Sequence, residues 1–274
     1  MSDPATPYVL GHAQREMARL EGQARTIAPI TRRFFEAAGI GRGMRVLDVG
    51  SGAGDVAFLA ADLVGPSGTV IGADRSRAAL ETARRRASTL GPTHVSFVEG
   101  DPASLAFDAP FDAVVGRYVL EFQPDPAAML RRVARHVRPG GIVVFHELDC
   151  GAAASHPPAP THDRVWKWWM ELLPRTGADP RMGLHLYHAF VRAGLSAPEL
   201  RQESIVVGGA HAAEYLRVNI ADLIGSVVDD MERHGIATAA EIDYPTLADR
   251  MIAEVIANDS LIIARAEVGA WVRV

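Results

Sequence analysis

The sequence predicts an α/β fold in which helices cover both faces of an open, mostly parallel sheet. Short runs rich in Val, Ile and Leu recur through the first half of the chain, and glycines mark the exits from several of them. Runs that are apolar on both faces read as buried strands. Helical stretches separate most of the runs. A strand that returns through a helix lies parallel to its predecessor, so alternation of this kind implies βαβ units.

The elements follow in order. Residues 1–10 are polar and contain proline, and read as an arm. Residues 11–38 read as helix, because Met17, Leu20, Ala24, Ile27 and Ile30 recur at spacings of three and four. Pro29 predicts a break there, giving two helices. Gly39 to Gly43 turn the chain. Arg45 to Val49 form a first strand ending in glycines, and residues 55–64 a helix. Gly65-Pro66-Ser67-Gly68 is a turn. Thr69 to Asp74 form a second strand and residues 76–90 a second helix. His94 to Val98 and Phe111 to Val115 are the third and fourth strands. Residues 126–137 read as a helix stopped by Pro139-Gly140-Gly141, with Ile142 to Phe145 opening a fifth strand. Beyond Cys150 the alternation ends. Residues 151–162, rich in Ala, Pro and His, read as a loop. Residues 163–173 hold three tryptophans, 183–193 read as helix and 200–207 as strand. Residues 211–257 are largely helical, a cap-like insertion, and Ala270 to Val274 would be a last strand.

Composition excludes several chemistries. The 274 residues carry 28 Lys+Arg against 33 Asp+Glu, a net charge of −5, and Lys167 is the one lysine. It sits in Trp-Lys-Trp, so no Gly-Lys-Ser/Thr phosphate loop is present. A Schiff-base enzyme would have to use that lysine. A single cysteine, Cys150, forbids an internal disulfide and a zinc site of several thiolates. With no secretory signal in view, the cytosol is the expected compartment. No run of about 18 apolar residues occurs, so no membrane insertion is expected. Mild negative charge argues against nucleic acid as a partner, and Arg84-Arg85-Arg86 reads as the solvated face of a helix. A homodimer is left open.

The turn after the first strand carries the strongest chemistry. Asp48-Val49-Gly50-Ser51-Gly52-Ala53-Gly54 lets the backbone approach a ligand, and the helix that follows presents free N–H groups. Asp74 ends the second strand, where a carboxylate can accept both hydroxyls of a ribose. Asp101 follows Gly100 after the third strand and could accept an adenine amine. The structural alternatives are an empty strand–helix turn, a helix cap at Asp74 shared with Ser76, and a turn acid at Asp101. Asp55 opens the helix and would repel a pyrophosphate, which favours a ligand with a cationic centre over a dinucleotide.

At these residues the chain resembles the class I S-adenosylmethionine-dependent methyltransferases, over roughly residues 44–149. Val46 to Gly54 matches the family's first motif and Val70 to Asp74 its second-strand acid. Glu99-Gly100-Asp101-Pro102 matches the adenine-contact motif, Phe111 to Val115 the fourth strand, and Val137-Arg138-Pro139-Gly140-Gly141 the turn before the fifth. The resemblance implies a Rossmann-like, seven-stranded sheet with a reversed last strand, supplied by the segment around Trp271. It implies S-adenosyl-L-methionine as cofactor. Asp48 and the backbone at Gly50, Ser51 and Gly52 would face its methionine part. Asp74 would hold the ribose with Arg75 beside the adenine, and Gly100, Asp101 and Pro102 would line the adenine. Arg117 would offer its carbonyl to the amino group. Tyr8-x-Leu10-Gly11 and Arg19-Leu20-x-x-Gln23 resemble the lid helix of bacterial small-molecule enzymes related to the quinone-biosynthesis type, so Tyr8 and Gln23 would close over the cofactor. The chain is then organised as lid helices over residues 1–40, a cofactor-binding core over 41–150, and the remainder of the core with its helical cap, about 211–257, over 151–274.

Methyl transfer needs an in-line nucleophile, and a base only if that nucleophile must lose a proton. Gly116-Arg117-Tyr118-Val119 is not the Asn-Pro-Pro-Tyr type of tetrad found in amino-methyltransferases, and the metal-dependent catechol pattern is unmatched, so no metal is expected. His146 and Glu147 are the candidate bases; as strand neighbours they should point to opposite faces. Tyr118 and Glu121 are candidate positioning groups; Asp149 joins His146 and Glu147 at the end of the fifth strand, and His12 lies near the lid, where it reads as a surface residue. Trp166, Trp168 and Trp169 would either wall an apolar pocket or pack a core. Together with the apolar stretch 205–257 they favour a small hydrophobic or aromatic substrate. A cofactor-binding protein that does not methylate, and an NAD-dependent oxidoreductase, are the competing readings.

Overall fold

The computed structural model describes residues 14–90 and 92–274, and side chains from Thr26 onward except that of Leu90. In chain order the helices and strands are α1 (Gln14–Ala38), β1 (Arg45–Val49), α2 (Asp55–Val64), β2 (Thr69–Asp74), α3 (Arg77–Leu90), β3 (Val95–Glu99), β4 (Phe111–Arg117), α4 (Pro126–Ala134), β5 (Val137–Asp149), β6 (Ala154–His156), α5 (Pro160–Arg175), α6 (Met182–Arg192), β7 (Glu199–Gly208), α7 (Ala212–Tyr215), α8 (Asp222–Gly225), α9 (Val228–Arg233), α10 (Ala239–Ile242), α11 (Tyr244–Ala257) and β8 (Leu261–Arg273). They fall into two compact units. One comprises Ile27–Leu148, Arg181–Glu203 and Glu267–Val274; the other holds Asp149–Pro180 and Ser204–Ala266 with α1 up to Thr26. This division is discontinuous, where the sequence suggested three consecutive stretches.

The first unit is built on the sheet order β3-β2-β1-β4-β5-β8. β1 lies parallel to β2 and to β4, with Asp48 opposite Gly72 on one side and Val115 on the other. β2–β3 and β4–β5 are parallel as well. β8 is reversed. Val274 N donates to Gly141 O at 3.0 Å, while Glu267 meets His146 further along β5, so residue numbers rise on one strand as they fall on the other. The chain leaves β1 in one direction through β2 and β3 and then crosses to β4. The carboxyl ends of β1 and β4 therefore flank a topological switch, the position where open α/β sheets bind ligands.

One face of the sheet is sealed by Val46, Val70, Ala113, Val115, Ile142 and Val144, packed with Phe35, Val56, Ala60, Val64 and Trp271. Alternate residues Leu47, Val49, Val114, Val143 and Phe145 are buried too, as expected for strands covered on both faces. Burying this apolar surface stabilises the unit at about 25 cal/mol per Å².

Several local expectations are corrected. Pro29 lies inside α1 and does not split it. Its ring is on the exposed side, while Ile27, Ile30, Phe34 and Phe35 are buried. Core packing holds the helix through the missing N–H. Pro139-Gly140-Gly141 ends no helix directly. α4 stops earlier, and β5 already begins at Val137, with a register break where Phe111 pairs Val137 but Ala113 pairs Ile142. The Pro-Gly-Gly run is thus a bulge within the strand. Among the described residues the strands of the sheet number eight, not seven. β8 starts well before Ala270, and β6 adds a short strand within the stretch read as loop.

In the second unit β6 pairs antiparallel with the first residues of β8, Ser155 opposite Ile262. α5 buries Trp166 and Trp169 and leaves Lys167 exposed. Trp166 donates its indole N–H to the Cys150 carbonyl at 2.8 Å, which satisfies a buried donor. Trp168 is half-buried with the Arg164 guanidinium 5.5 Å from its ring centroid. Two of the three tryptophans are therefore core residues of this unit. The helices of 212–257 surround a π-helical turn over Leu216–Ala221. Thr238 and Glu241 cap α10 reciprocally. No helix among the described residues is long and apolar enough to cross a membrane.

Candidate functional site

The turn between β1 and α2 takes a left-handed backbone at Gly50, Gly52 and Gly54, with φ of 67°, 52° and 92°. Two of these glycines do different jobs. A Cβ on Gly50 would lie 2.7 Å from Val119 Cγ2, so the chain after β4 presses directly on the turn. A Cβ on Gly52 would meet nothing within 4 Å, so this part of the turn faces open space. Gly50 N and Ser51 N both donate to Ala73 O, at 2.8 and 3.1 Å, which ties the turn to β2.

Inside this turn stand polar groups without partners. Asp48 is 1% exposed, and neither of its carboxylate oxygens makes a hydrogen bond; nor does the Ser51 hydroxyl. Burial pushes the Asp48 carboxyl well above its ordinary range, and Asp74 and Asp55 add to the shift. The Arg117 charge, and the Ala57 amide nearby in a geometry too loose for a hydrogen bond, oppose it without prevailing. A buried, unpaired carboxyl is costly. Its presence at the switch point fits a ligand that brings a cationic group. S-adenosylmethionine carries an ammonium and a sulfonium, so the donor set fits it.

The acids of β2 and β3 are engaged locally. Asp74 Oδ2 accepts from Gly52 N at 2.8 Å and Oδ1 from Ser76 N at 2.7 Å. The carboxylate thus holds both the glycine turn and the start of α3, with lone pairs to spare for hydroxyls. Asp101 Oδ1 accepts from Ala103 N at 2.9 Å and Oδ2 from Arg75 Nη2 at 2.7 Å. Gly100 (φ 148°) makes the turn that brings Asp101 beside Arg75, with its own N–H on Asp74 O. Pro102 is buried and its carbonyl faces His136 Nε2 at 2.9 Å. Asp55 is not a bare charge, because Arg86 Nη2 donates to it at 2.7 Å. Repulsion of a pyrophosphate by Asp55 is correspondingly weaker than its sequence position suggests.

On the other side of the switch, β4 ends in Arg117 and Tyr118. Arg117 Nη1 donates to Thr31 Oγ1 at 3.2 Å, and its guanidinium stands 5.6 Å from the Tyr118 ring centroid. His146 is fully buried between Thr31 Oγ1, 3.1 Å from Nδ1, and Glu267 Oε2, 2.9 Å from Nε2. Tyr118 donates its hydroxyl to the same Glu267 oxygen at 2.5 Å. Glu147, pointing the other way, accepts at Oε1 from Val119 N and Leu120 N, at 2.9 and 2.8 Å. It thereby anchors the one-turn helix Leu120–Phe122, in which Glu121 is buried. Glu267 and Thr31 were not singled out from the sequence. Each is an ordinary residue of a strand or helix with no motif around it.

Asp149 belongs to the second unit, where it accepts from Gly151 N at 3.0 Å and caps the short turn after β5. Tyr8 and His12 lie outside the described residues, and Gln23 is in α1 with its side chain outside the description. Among the described residues, no group of three or more His, Cys, Asp or Glu stands close enough to hold a metal ion.

Comparison with known proteins agrees with this geometry. A methyltransferase domain model matches residues 40–176, half the chain. The demethylmenaquinone methyltransferase of Lactococcus lactis subsp. lactis is 30% identical over 177 residues, covering 63% of this chain and 68% of that protein. The 2-phytyl-1,4-naphtoquinone methyltransferase of Synechococcus elongatus is 45% identical over 100 residues, 36% of this chain and 43% of that one. Among solved structures, the YcgJ protein of Bacillus subtilis shares the fold at a TM-score of 0.54 and 18% identity, covering 91% of this chain and 99% of that one. A glycine turn at the switch point, an unpaired buried carboxyl within it and these matches converge: the chain belongs to the S-adenosylmethionine-dependent methyltransferase family, with that molecule as its cofactor.

Proposed function

We propose that this chain methylates a small hydrophobic or aromatic molecule, and that it works in the cytosol. The observation that carries the cofactor half of this reading is the unpaired Asp48 carboxyl beside Ser51 in the left-handed glycine turn. The relatives named above, which act on a demethylmenaquinone and a phytyl-naphthoquinone, support an aromatic acceptor.

When bound, the cofactor supplies a methyl group made electrophilic by a sulfonium. The residues of this chain bind and orient it. Asp48, Ser51 and the Gly50–Gly52 backbone hold its amino-acid end, with the Arg117 carbonyl on the amino group. Asp74 accepts the ribose hydroxyls while keeping its bonds to Gly52 N and Ser76 N. Gly100, Asp101, Pro102 and Arg75 line the adenine. Tyr118 is the group offered to the acceptor, and His146, fully buried, holds it through Glu267. Glu147 and Glu121 shape the turn that carries Val119 against Gly50. Once two reactants are held in line, positioning alone can supply about 7–11 kcal/mol of the barrier.

The test is a melting curve with S-adenosylmethionine and with its demethylated product, followed by turnover assays on naphthols and reduced naphthoquinones. A raised midpoint with both ligands, and demethylated cofactor formed only when an acceptor is present, are the expected results. No rise with either ligand would overturn the reading. A rise without turnover on aromatic acceptors would overturn the substrate class.

A further inference from the structure

Tyr118 is a non-glycine residue in the left-handed region, with φ of 55°. That conformation is rare for an aromatic residue and is sustained only when its surroundings impose it. Here Tyr118 N donates to His146 O at 3.0 Å, and the phenol is drawn onto Glu267. Glu267 is 1% exposed and its Oε2 accepts from two donors, the Tyr118 hydroxyl and His146 Nε2. Tyr118 itself is only half-buried, and the next residue, Val119, lies against Gly50 of the cofactor turn. Tyr118 is thus the less buried member of the pair it forms with Glu267, one residue from the position that presses on the turn proposed to hold the cofactor.

We propose that Tyr118 and Glu267 form a proton relay for an acceptor that carries an ionisable hydroxyl, a phenol or an enol; this rests on the methyltransferase reading above. As the acceptor oxygen bonds to the methyl carbon, the sulfonium S–C bond breaks and its electron pair stays on sulfur. The acceptor's proton passes to the Tyr118 oxygen, and the Tyr118 proton passes to Glu267 Oε2. The sulfonium charge is lost and the carboxylate becomes a neutral acid, so charge balances. The proton returns through Tyr118 to solvent when product leaves. His146 is a positioning residue: it fixes Glu267 through Nε2 and is itself fixed by Thr31, which Arg117 holds in turn. The titratable and charged groups around the relay are His146 and Arg117, with Glu203, Arg33 and Arg201 beyond His146. Tyr118→Phe and Glu267→Gln keep shape and remove the relay.

Two readouts test it. The first is kcat on 2-naphthol and on a nitro-substituted naphthol that is already ionised at neutral pH. Each variant should lose about 100-fold on 2-naphthol and less than about 5-fold on the ionised acceptor. The second needs no turnover. With the demethylated cofactor bound, a nitronaphthol in the wild-type site should show its phenolate band at a pH below its solution pKa, and Glu267→Gln should lose that band at the same pH. Equal losses on both acceptors, no loss on either, or a phenolate band that is the same in both proteins would overturn the relay. If Glu267→Gln fails to fold, Tyr118→Phe decides, because it removes one hydroxyl and leaves the carboxylate with His146. A wild type that methylates neither naphthol while binding the cofactor also overturns the hydroxyl-acceptor class and the relay with it. A wild type that binds no cofactor overturns the methyltransferase reading itself, so the two failures are distinct.

Discussion

The two sides of the switch point are built on different principles. On the β1–β2–β3 side the functional acids bond to backbone close by in sequence. Asp74 reaches Ser76 two residues away and Gly52 at a separation of 22, and Asp101 reaches Ala103. On the β4–β5–β8 side the polar groups meet only through the fold: Tyr118 and Glu267 are 149 residues apart, His146 and Glu267 121, and Thr31 and His146 115. The first side can be assembled by one stretch of chain and recurs as a motif. The second exists only when α1, β4, β5 and β8 are all in place.

Asp74→Ala should produce the largest effect and break the local side alone. It removes the carboxylate offered to the ribose and frees Gly52 N and Ser76 N. Hydrogen bonds to a charged group are worth about 1.5–3 kcal/mol each, so affinity for the demethylated cofactor should fall by about 100-fold. Calorimetric titration would show it. The buried Tyr118–Glu267–His146 cluster should survive, and the far-side ionisation behaviour with it. A variant that binds the cofactor as the wild type does would refute the assignment of Asp74.

This contrast explains what could be read in the sequence. The bounds of β1 and β2 are legible because Val46, Leu47 and Val49 or Val70 and Ile71 are followed at once by glycine or an acid. The glycine turn is legible because left-handed backbone selects glycine. Glu267 is not, because in the run Ala266-Glu267-Val268 it looks like any polar residue of a strand, and only β8 pairing against β5 brings it to His146. Pro29 misleads for a related reason: propensity predicts a break, but Phe34 and Phe35 in the core keep the helix going. The interplay of His146 and Glu147 is half legible. Strand alternation sends them to opposite faces, but their partners lie on other elements.

Two glycines sharpen the comparison within the local side. Gly50→Ala puts a Cβ 2.7 Å from Val119 Cγ2 on a backbone with φ of 67°. Strain and clash together should cost about 2–3 kcal/mol of stability, read by urea unfolding. Gly52→Ala meets open space at φ 52°, so about 1 kcal/mol of backbone strain remains. Its methyl group would instead occupy the space the ligand needs, and cofactor affinity should fall at least tenfold. Equal destabilisation by the two substitutions would mean that Val119 yields and does not brace the turn.

Asp48→Asn tests the buried acid on this side whose carboxylate has no hydrogen-bond partner. Burial raises the folded-state pKa above the ordinary 3.8. The stability this group contributes is fully present below the unfolded value and is lost as pH rises through the folded pKa. The ligand-free wild type should therefore weaken as pH climbs from about 4 towards neutrality, and Asp48→Asn should weaken less over that window. At neutral pH the variant should be about 1 kcal/mol more stable without ligand, yet bind the cofactor about tenfold more weakly, since the amide offers no charge to its cationic groups. A variant less stable than the wild type would show that the carboxyl has a structural task.

Arg75→Ala should have the smallest effect, and for that reason defines the limit of the local side. The Arg75 side chain is 64% exposed, and its bond to Asp101 is a surface ion pair. Such pairs contribute about 0–1 kcal/mol. Asp101 keeps its bond from Ala103 N when Arg75 is removed, so the turn after β3 should hold and thermal stability should move by less than about 0.5 kcal/mol. If cofactor affinity nevertheless falls severalfold, the loss comes from contact of the guanidinium with the adenine, because the backbone that carries Asp101 is unchanged. If neither moves, Arg75 is a surface residue and the adenine is held by Asp101, Pro102 and the β3 turn alone.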